Sequence, residues 1–498
     1  MEEEIIRGRD AQRHIVEIAQ EVSSRVRKTL GPLGFDMMLV DRMGEHTQTN
    51  DGATIMKMQD FRDPVAKMFV EVAKAQEEQA FDGTTTCVVL LAELLRLADN
   101  HIEEKGIHPN DITRGYREGL RIAIETAESK ATVLDREEAA KAAAKTALTG
   151  KTAGDYSDKL IELCASAALS ARPEEAKILA MPGETDLSEV VEGVVVMKEP
   201  CLSAMPKKAE GKILVLDEDL APPQANISLS DPTKIKEIAE VQENYIQNRV
   251  RMILEMNVNV VFCQKQIDSR AQQVFRKEGI TAFRQVKKSD IHRIAEVTGS
   301  TIVSDLASIS EEDIGEGSIE FVKAKPNSYT KVLGPEKGSI SILLYALTEQ
   351  SAHEIMRALD DAIGVAWLVA TEPKLVTGAG TIQNQMAHAI KKASPTLDAK
   401  AEAAKNSFAD ALMLIPKTLA ESAGMDLMDT MHNLTHSPDS GVSALTGTVA
   451  DMTGVREPLV VVTSAMKAAV ENCVALLRTH AIIKSRSFQD MFNEEMSR

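Results

Sequence analysis

The chain has 498 residues, 44% of them hydrophobic and 27% charged, a globular composition that leaves room for about three domains at ~100–200 residues each and excludes a disordered or collagen-like chain. Asp and Glu outnumber Lys and Arg by 75 to 57, and the net charge of −18 argues against a nucleic-acid or anionic-membrane partner, though not against a local anion site made of backbone N–H groups. Aromatics are 3% and Met reaches 22, so the core is expected to rest on Ala, Leu, Ile, Val and adaptable Met.

Asp10–Leu30 carries apolar residues at spacings of three and four (Ile15, Ile18, Ala19, Val22, Val26), the pattern of an amphipathic helix. Gly31-Pro32-Leu33-Gly34 must break it. Met37–Val40 and Thr47–Thr49 read as a hairpin around Gly44. Val65–Ala80, Thr84–Glu104 and Ile112–Lys130 follow as helices, the second apolar nearly all round over Val88–Leu95 and therefore expected at the centre of the core. The middle alternates strands (Lys212–Leu216, Val258–Cys263, Ile280–Arg284, Thr301–Val303) with helices (Asp231–Met256, Ile267–Lys277, Lys288–Val297), an α/β pattern. Glu218–Pro232, with Pro222-Pro223, reads as an exposed insertion. After a strand at Ile340–Leu344 the chain returns to helix at Glu354–Val369, Thr381–Ala393, Ala401–Ser422 and Ser464–Leu477. Periodicity leaves two arrangements open: an α/β module inserted into a helical domain, or independent domains in a row. No apolar run reaches the ~18–20 residues of a membrane span, Ala362–Ala370 being about the longest. The acidic start Met1-Glu2-Glu3-Glu4 is unlike a secretory signal, and a cytoplasmic location is expected. Cys87, Cys164, Cys201, Cys263 and Cys473 form no C-x-x-C pair, so reduced, mostly buried thiols are expected rather than a zinc site.

Four segments have the chemistry of a phosphate site: Thr29-Leu30-Gly31-Pro32, Asn50-Asp51-Gly52-Ala53-Thr54, Asp82-Gly83-Thr84-Thr85-Thr86 and Gly378-Ala379-Gly380-Thr381. Glycine lets backbone approach an oxyanion, and a helix start offers unpaired N–H groups at the positive end of its dipole. Carboxylates such as Asp51 and Asp82 beside phosphate call for a hard cation between them, a role that suits Mg²⁺. Each segment alone is an ordinary capped turn. Lys145 stands where a P-loop needs glycine, Gln383 stands where a dinucleotide fingerprint needs its third, and Asp360-Asp361 reads neutrally as an exposed pair.

Taken together and in order, these motifs closely resemble the chaperonins. Met38-Leu39-Val40-Asp41, Ile107-His108-Pro109, Val260-Val261-Phe262-Cys263-Gln264-Lys265 and Glu457-Pro458 point to the group II branch, the thermosome and eukaryotic cytosolic chaperonin family, and to a divergent archaeal-type paralogue within it. The resemblance covers nearly all of the chain. It implies a multidomain α and α/β fold: a mainly helical equatorial ATP-binding domain (1–134 and 373–498), a small intermediate hinge domain (135–205 and 340–372) and an α/β apical substrate-binding domain (206–339) with a helical protrusion near 218–240. It implies an ATPase with ATP and Mg²⁺ as cofactors and K⁺ as an optional addition. Non-native protein clients are implied, folded in a homo- or hetero-oligomeric double ring, with no nucleic acid and no membrane as partner. By resemblance Thr29, Leu30, Gly31 and Pro32 lie against nucleotide, Asp82 holds the metal, and Gly83, Thr84, Thr85 and Thr86 cradle phosphate. Asp51 and Asp361 would position and activate the attacking water, Lys151 would sense the terminal phosphate, and Gly378, Gly380 and Glu457 would surround ribose and adenine.

This sequence also departs from the family pattern. Phe81 replaces a glycine before Asp82, Ala379 the middle glycine of a three-glycine turn, and Ser443 a frequent Asp. Tyr345-Ala346-Leu347 replaces an Arg-Gly-Gly hinge, the protrusion is short, and the tail 485–498 carries Phe488 and Phe492. Phe81 gives weight to an alternative, a ring or assembly subunit with weak or no ATPase that holds clients or joins another chaperonin. A small-molecule kinase finds no acceptor-site signature. Ile227, Leu229, Ile235 and Ile238 are the candidate client contacts, with packing of the last two on the apical sheet as the plain alternative.

Overall fold

The computed structural model describes residues 4–40, 44, 46–59, 61–151, 158–222, 232–324, 327–336 and 338–484, the side chains of 4, 232–239 and 484 excepted. Two compact units account for the chain: Met1–Ser157 with Arg357–Arg498, and Asp158–Met356, an insertion in the sequence of the first. Both cuts fall inside the segments that resemblance assigns to a hinge.

The first unit is built around the helix Thr84–Lys105, on which every residue from Cys87 to Ala92 is buried. An apolar face all round has one stable place, inside other helices. Gly8–Arg27, Pro64–Ala80 and Leu459–Leu477 pack against it. Gly8–Arg27 contributes the stripe Ala11, Ile15, Ala19, Val22 and Val26, as its spacing requires. Pro64–Ala80 starts on a proline and is capped by Asp63, whose carboxylate accepts the Val65 N–H at 2.9 Å. The hairpin of Met37–Val40 and His46–Thr49 is antiparallel. Thr132–Val133, Lys374–Thr377 and Arg456–Pro458 form a small sheet with Lys374–Thr377 at its centre.

Two expectations are corrected here. Ala401–Ser422 is not one helix but two, Ala399–Leu412 and Leu414–Ser422. Pro416 has no N–H to give the Leu412 carbonyl, and the first helix ends at that residue. The last long helix is Leu459–Leu477, which passes for a membrane span by length and mean hydropathy (1.5 over its window) although Lys467 and Glu471 interrupt its apolar run. It begins at Leu459 behind Pro458, five residues earlier than Ser464, because the β-branched run Val460–Val462 hides its periodicity. Most of it is buried inside the first unit, where Ala465, Ala469 and Cys473 join the same core as Leu90 and Leu91.

The second unit holds a mixed sheet in the order Thr281–Phe283, Val260–Cys263, Lys208–Leu216, Gly315–Val322, Tyr329–Leu333, Val194–Val196, with Ile302–Val303 also pairing on Lys208–Leu216. Its parallel half is the strand–helix alternation read from sequence. The antiparallel half was not legible: Gly315-Glu-Gly-Ser has poor strand propensity, yet Gly317 must be glycine because a Cβ there would stand 2.4 Å from the Leu333 carbonyl. A second sheet places Ile340–Ala346 between Ala176–Pro182 and Glu189–Val191. Pro232–Glu255 is helical. Ile227, Leu229 and most of the expected insertion lie outside the described residues, as do the side chains of Ile235 and Ile238 and the tail from 485. Cys87, Cys164, Cys263 and Cys473 are buried and Cys201 half-buried.

Candidate functional site

A cavity of 320 Å³ opens into the first unit, where four turns converge. The turn between Pro64–Ala80 and Thr84–Lys105 is only three residues long, and Phe81 (φ 57°) and Gly83 (φ 79°) on either side of Asp82 both adopt the left-handed conformation. Gln76 fixes this turn from within the core, donating from Nε2 to the Asp82 carbonyl at 2.8 Å and to Ser464 Oγ at 3.0 Å. Beyond it the first intrahelical bond is Cys87 N–H to Gly83 O, so the amides of Thr84, Thr85 and Thr86 have no acceptor within the helix. Gly83 supplies no side-chain cap either. Three free N–H groups at the start of a 22-residue helix are an anion site by construction.

Facing this turn is the short helix Gly52–Met58. Asp51 caps it, accepting from Thr54 N–H at 2.8 Å and, more distantly, Ala53 N–H at 3.4 Å. Gly52 is required by proximity, since a Cβ on it would lie 2.3 Å from Thr85 Oγ1. Asn50 donates from Nδ2 to the Gly150 carbonyl at 3.0 Å. Gly150 in turn (φ 84°) rests against Pro32, 2.4 Å from where its Cβ would stand to Pro32 Cα. These contacts join the Gly31-Pro32 turn, the Asp51 cap and the Gly150-Lys151 turn into one wall.

Lys151 Nζ is ion-paired with Asp361 Oδ2, the two side chains keeping 22% and 23% exposure toward the cavity. Burial works to lower the Lys151 ammonium, yet the charges of Asp361, Asp82 and Asp51 outweigh it and hold it above the ordinary lysine value. Burial pushes the Asp361 carboxyl up to about 7, with Asp51 and Asp82 adding to the shift and Lys151 opposing it. Glu457 is likewise pushed up to about 7, first by burial and then by Asp82, against a hydrogen bond from the Ala379 N–H. Carboxylates thus outnumber the cations around them, and a divalent cation would offset that surplus and let phosphate oxygens approach. The donor set suits Mg²⁺, which takes one or two carboxylates and fills its remaining positions with water and phosphate. Among the described residues no group of three His, Cys, Asp or Glu side chains forms a self-sufficient metal cage.

Of the residues singled out in the sequence, Thr29, Leu30, Gly31, Pro32, Asp51, Asp82, Gly83, Thr84, Thr85, Thr86, Lys151, Asp361, Gly380 and Glu457 line this cavity. Gly378 does not. It lies behind the wall, its N–H bonded to the Val455 carbonyl at 2.9 Å and its α-carbon packed so closely on Glu457 that a Cβ would meet Oε1 at 2.6 Å. The neutral reading of Asp360-Asp361 holds for Asp360, which is exposed, and fails for Asp361. Gln76 has no role in the sequence reading, and Asn50 has only its place in the second phosphate-like segment, with no sign of its bond to Gly150. Gln76 left a signal, a polar residue on the buried stripe Phe69, Val72, Ala73, Gln76, Ala80. Asn50 left none, because Asn before Asp-Gly is ordinary turn composition.

The TCP-1/cpn60 chaperonin family model matches residues 22–487. A thermosome subunit of Methanopyrus kandleri is 38% identical over 96% of this chain and 93% of its own length. The thermosome subunit beta of Archaeoglobus fulgidus is 38% identical (97% and 93%), and the thermosome subunit alpha of Thermoplasma acidophilum 36% (96% and 92%). A helical unit carrying an anion-ready cavity, with an α/β unit inserted in its sequence, is the chaperonin fold. The chain belongs to the TCP-1/cpn60 chaperonin family, in its group II, archaeal-type branch, and is a chaperone subunit.

Proposed function

We propose that the cavity binds Mg²⁺·ATP and hydrolyses it, and that this subunit acts in a cytoplasmic double ring that encloses non-native proteins and promotes their folding. One observation carries the reading: Asp51, Asp82 and Asp361, drawn from three distant stretches, line a single cavity with Lys151 and the free amides of Thr84–Thr86. Those amides and the Lys151 ammonium would receive phosphate oxygens. Thr29–Pro32, Gly380 and Glu457 would hold the nucleoside, with Gly378 shaping the wall behind Glu457. Asp82 would hold Mg²⁺, which supplies charge neutralisation when bound. Asp51, fixed by its capping bonds, would orient water, and Asp361, poised by burial, would take a proton from it at Oδ1 or Oδ2. In this scheme 1–134 and 373–498 are the equatorial domain, 135–205 and 340–372 the hinge and 206–339 the apical domain, and hydrolysis drives movement of the last.

Asp361→Ala tests the chemistry. Mg²⁺-dependent ATP turnover should fall by about 10²-fold or more, the usual contribution of a general base, while nucleotide affinity stays within a few-fold. Undiminished hydrolysis would remove the mechanism. One observation favours a second reading, a ring subunit with weak turnover: Phe81 holds a φ of 57° beside Asp82, a conformation that costs a side-chain-bearing residue roughly 1–2 kcal/mol.

A further inference from the structure

Phe81 is not simply a tolerated misfit, because the helix opposite is shaped to receive it. Gly364 lies in the buried middle of the helix Glu349–Thr371, and a Cβ built on it would stand 2.2 Å from Phe81 Cγ and 2.4 Å from Cδ1. The ring therefore sits directly on helix backbone, in the space a side chain would otherwise fill. Gly364 follows Asp361 by three residues, so the two share a helix face, and Val365 beside it lines the cavity with Asp361. On the other side Phe81 is bonded covalently to Asp82 and closes the helix Pro64–Ala80, its N–H bonded to the Glu77 carbonyl at 2.9 Å. One aromatic ring thus lies between the turn that carries Asp82 and the helix that carries Asp361.

We propose that Phe81 is a positioning residue for nucleotide hydrolysis, its ring seated on Gly364 setting the spacing between the Asp82 turn and the Asp361 helix face. This rests on the reading of the cavity as an ATP site. The left-handed backbone at Phe81 is then part of the device, since it aims the ring at Gly364.

The test is a double-mutant cycle on the full-length protein with Phe81→Gly, Phe81→Leu, Gly364→Ala and the Phe81→Gly/Gly364→Ala pair. A misplacement of about 1 Å at a reacting group can cost up to 10²-fold, so Phe81→Gly and Gly364→Ala should each lower kcat by about tenfold, with KM for Mg²⁺·ATP within about twofold. Phe81→Leu should retain most of the rate. In the double variant the added methyl meets no ring, and the loss should not exceed that of Phe81→Gly alone. A purely structural role predicts otherwise: Ala is the better helix former, so Gly364→Ala would shift melting without separating kcat from KM. A Phe81→Gly variant as fast as or faster than the parent, or losses that multiply in the pair, would overturn the proposal while leaving the ATP site intact. Failure of the parent to bind a fluorescent ATP analogue with Mg²⁺ would overturn both.

Discussion

Half-buried acids are treated differently in the two units. In the second unit the least exposed of them lie against a cation. Asp290 pairs with Lys177, Asp268 with Arg270, and Glu218 with Arg249, whose guanidinium also lies 4.8 Å over the Tyr245 ring. In the cavity of the first unit Asp51, Asp82 and Asp361 share Lys151, Glu457 lines the same cavity, and two of the four carboxyls are pushed up to about 7. A matched charge fixes architecture. A surplus of one sign kept half out of water is costly to the fold, and its persistence marks a place where something of the opposite sign is meant to arrive.

The contrast breaks if matched acids turn out to be expendable. Glu218 accepts from the Leu306 N–H at 2.8 Å as well as holding Arg249, and the pair is only 18% and 21% exposed. Glu218→Ala would strand both partners and should destabilise the second unit by roughly 2–4 kcal/mol, read as a lowered melting temperature, with Mg²⁺·ATP affinity unchanged within twofold. The opposite sign is expected in the cavity. Glu457 keeps its proton in the fold up to about pH 7 but loses it near 4.5 when unfolded, so between these values the native state binds more protons and stability falls as pH rises. Glu457→Gln does not titrate and can still accept from the Ala379 N–H. Without nucleotide it should be more stable than the parent by on the order of 3 kcal/mol at pH 7.5 and about equal to it at pH 4, measured by denaturant melts.

The same division explains what could be read from the sequence. Helices with a plain stripe, such as Gly8–Arg27 and Thr84–Lys105, were placed to within a few residues because one face or all faces had to be buried. Leu459–Leu477 lost its first turn to a β-branched run, and Ala399–Leu412 was joined to its neighbour because Pro416 acts four residues upstream of itself. The antiparallel strands of the second unit are stabilised by neighbours distant in sequence, which local propensity does not see. The site was legible where chemistry needs residues in short runs, as at Asp82–Thr86. Asn50 and Gly364 act through contacts with Gly150 and Phe81, and no spacing rule connects those pairs.

The smallest effect separates two roles held by one carboxylate. Asp51 is the cap of Gly52–Met58 and, by proposal, a group that orients water. A cap is worth about 1 kcal/mol, and Asn serves there nearly as well as Asp, whereas Ala does not. Asp51→Asn should therefore keep the melting temperature of the parent and lose turnover, because the amide retains the Thr54 N–H bond but neither the charge nor the second acceptor oxygen that orient the water. Asp51→Ala should lose the same turnover and, in addition, about 1 kcal/mol of stability. If Asp51→Asn kept full turnover, Asp51 would be architecture like the acids of the second unit. The cavity would then rely on Asp361 alone to place the water as well as to deprotonate it, and the surplus of negative charge would need a different reason.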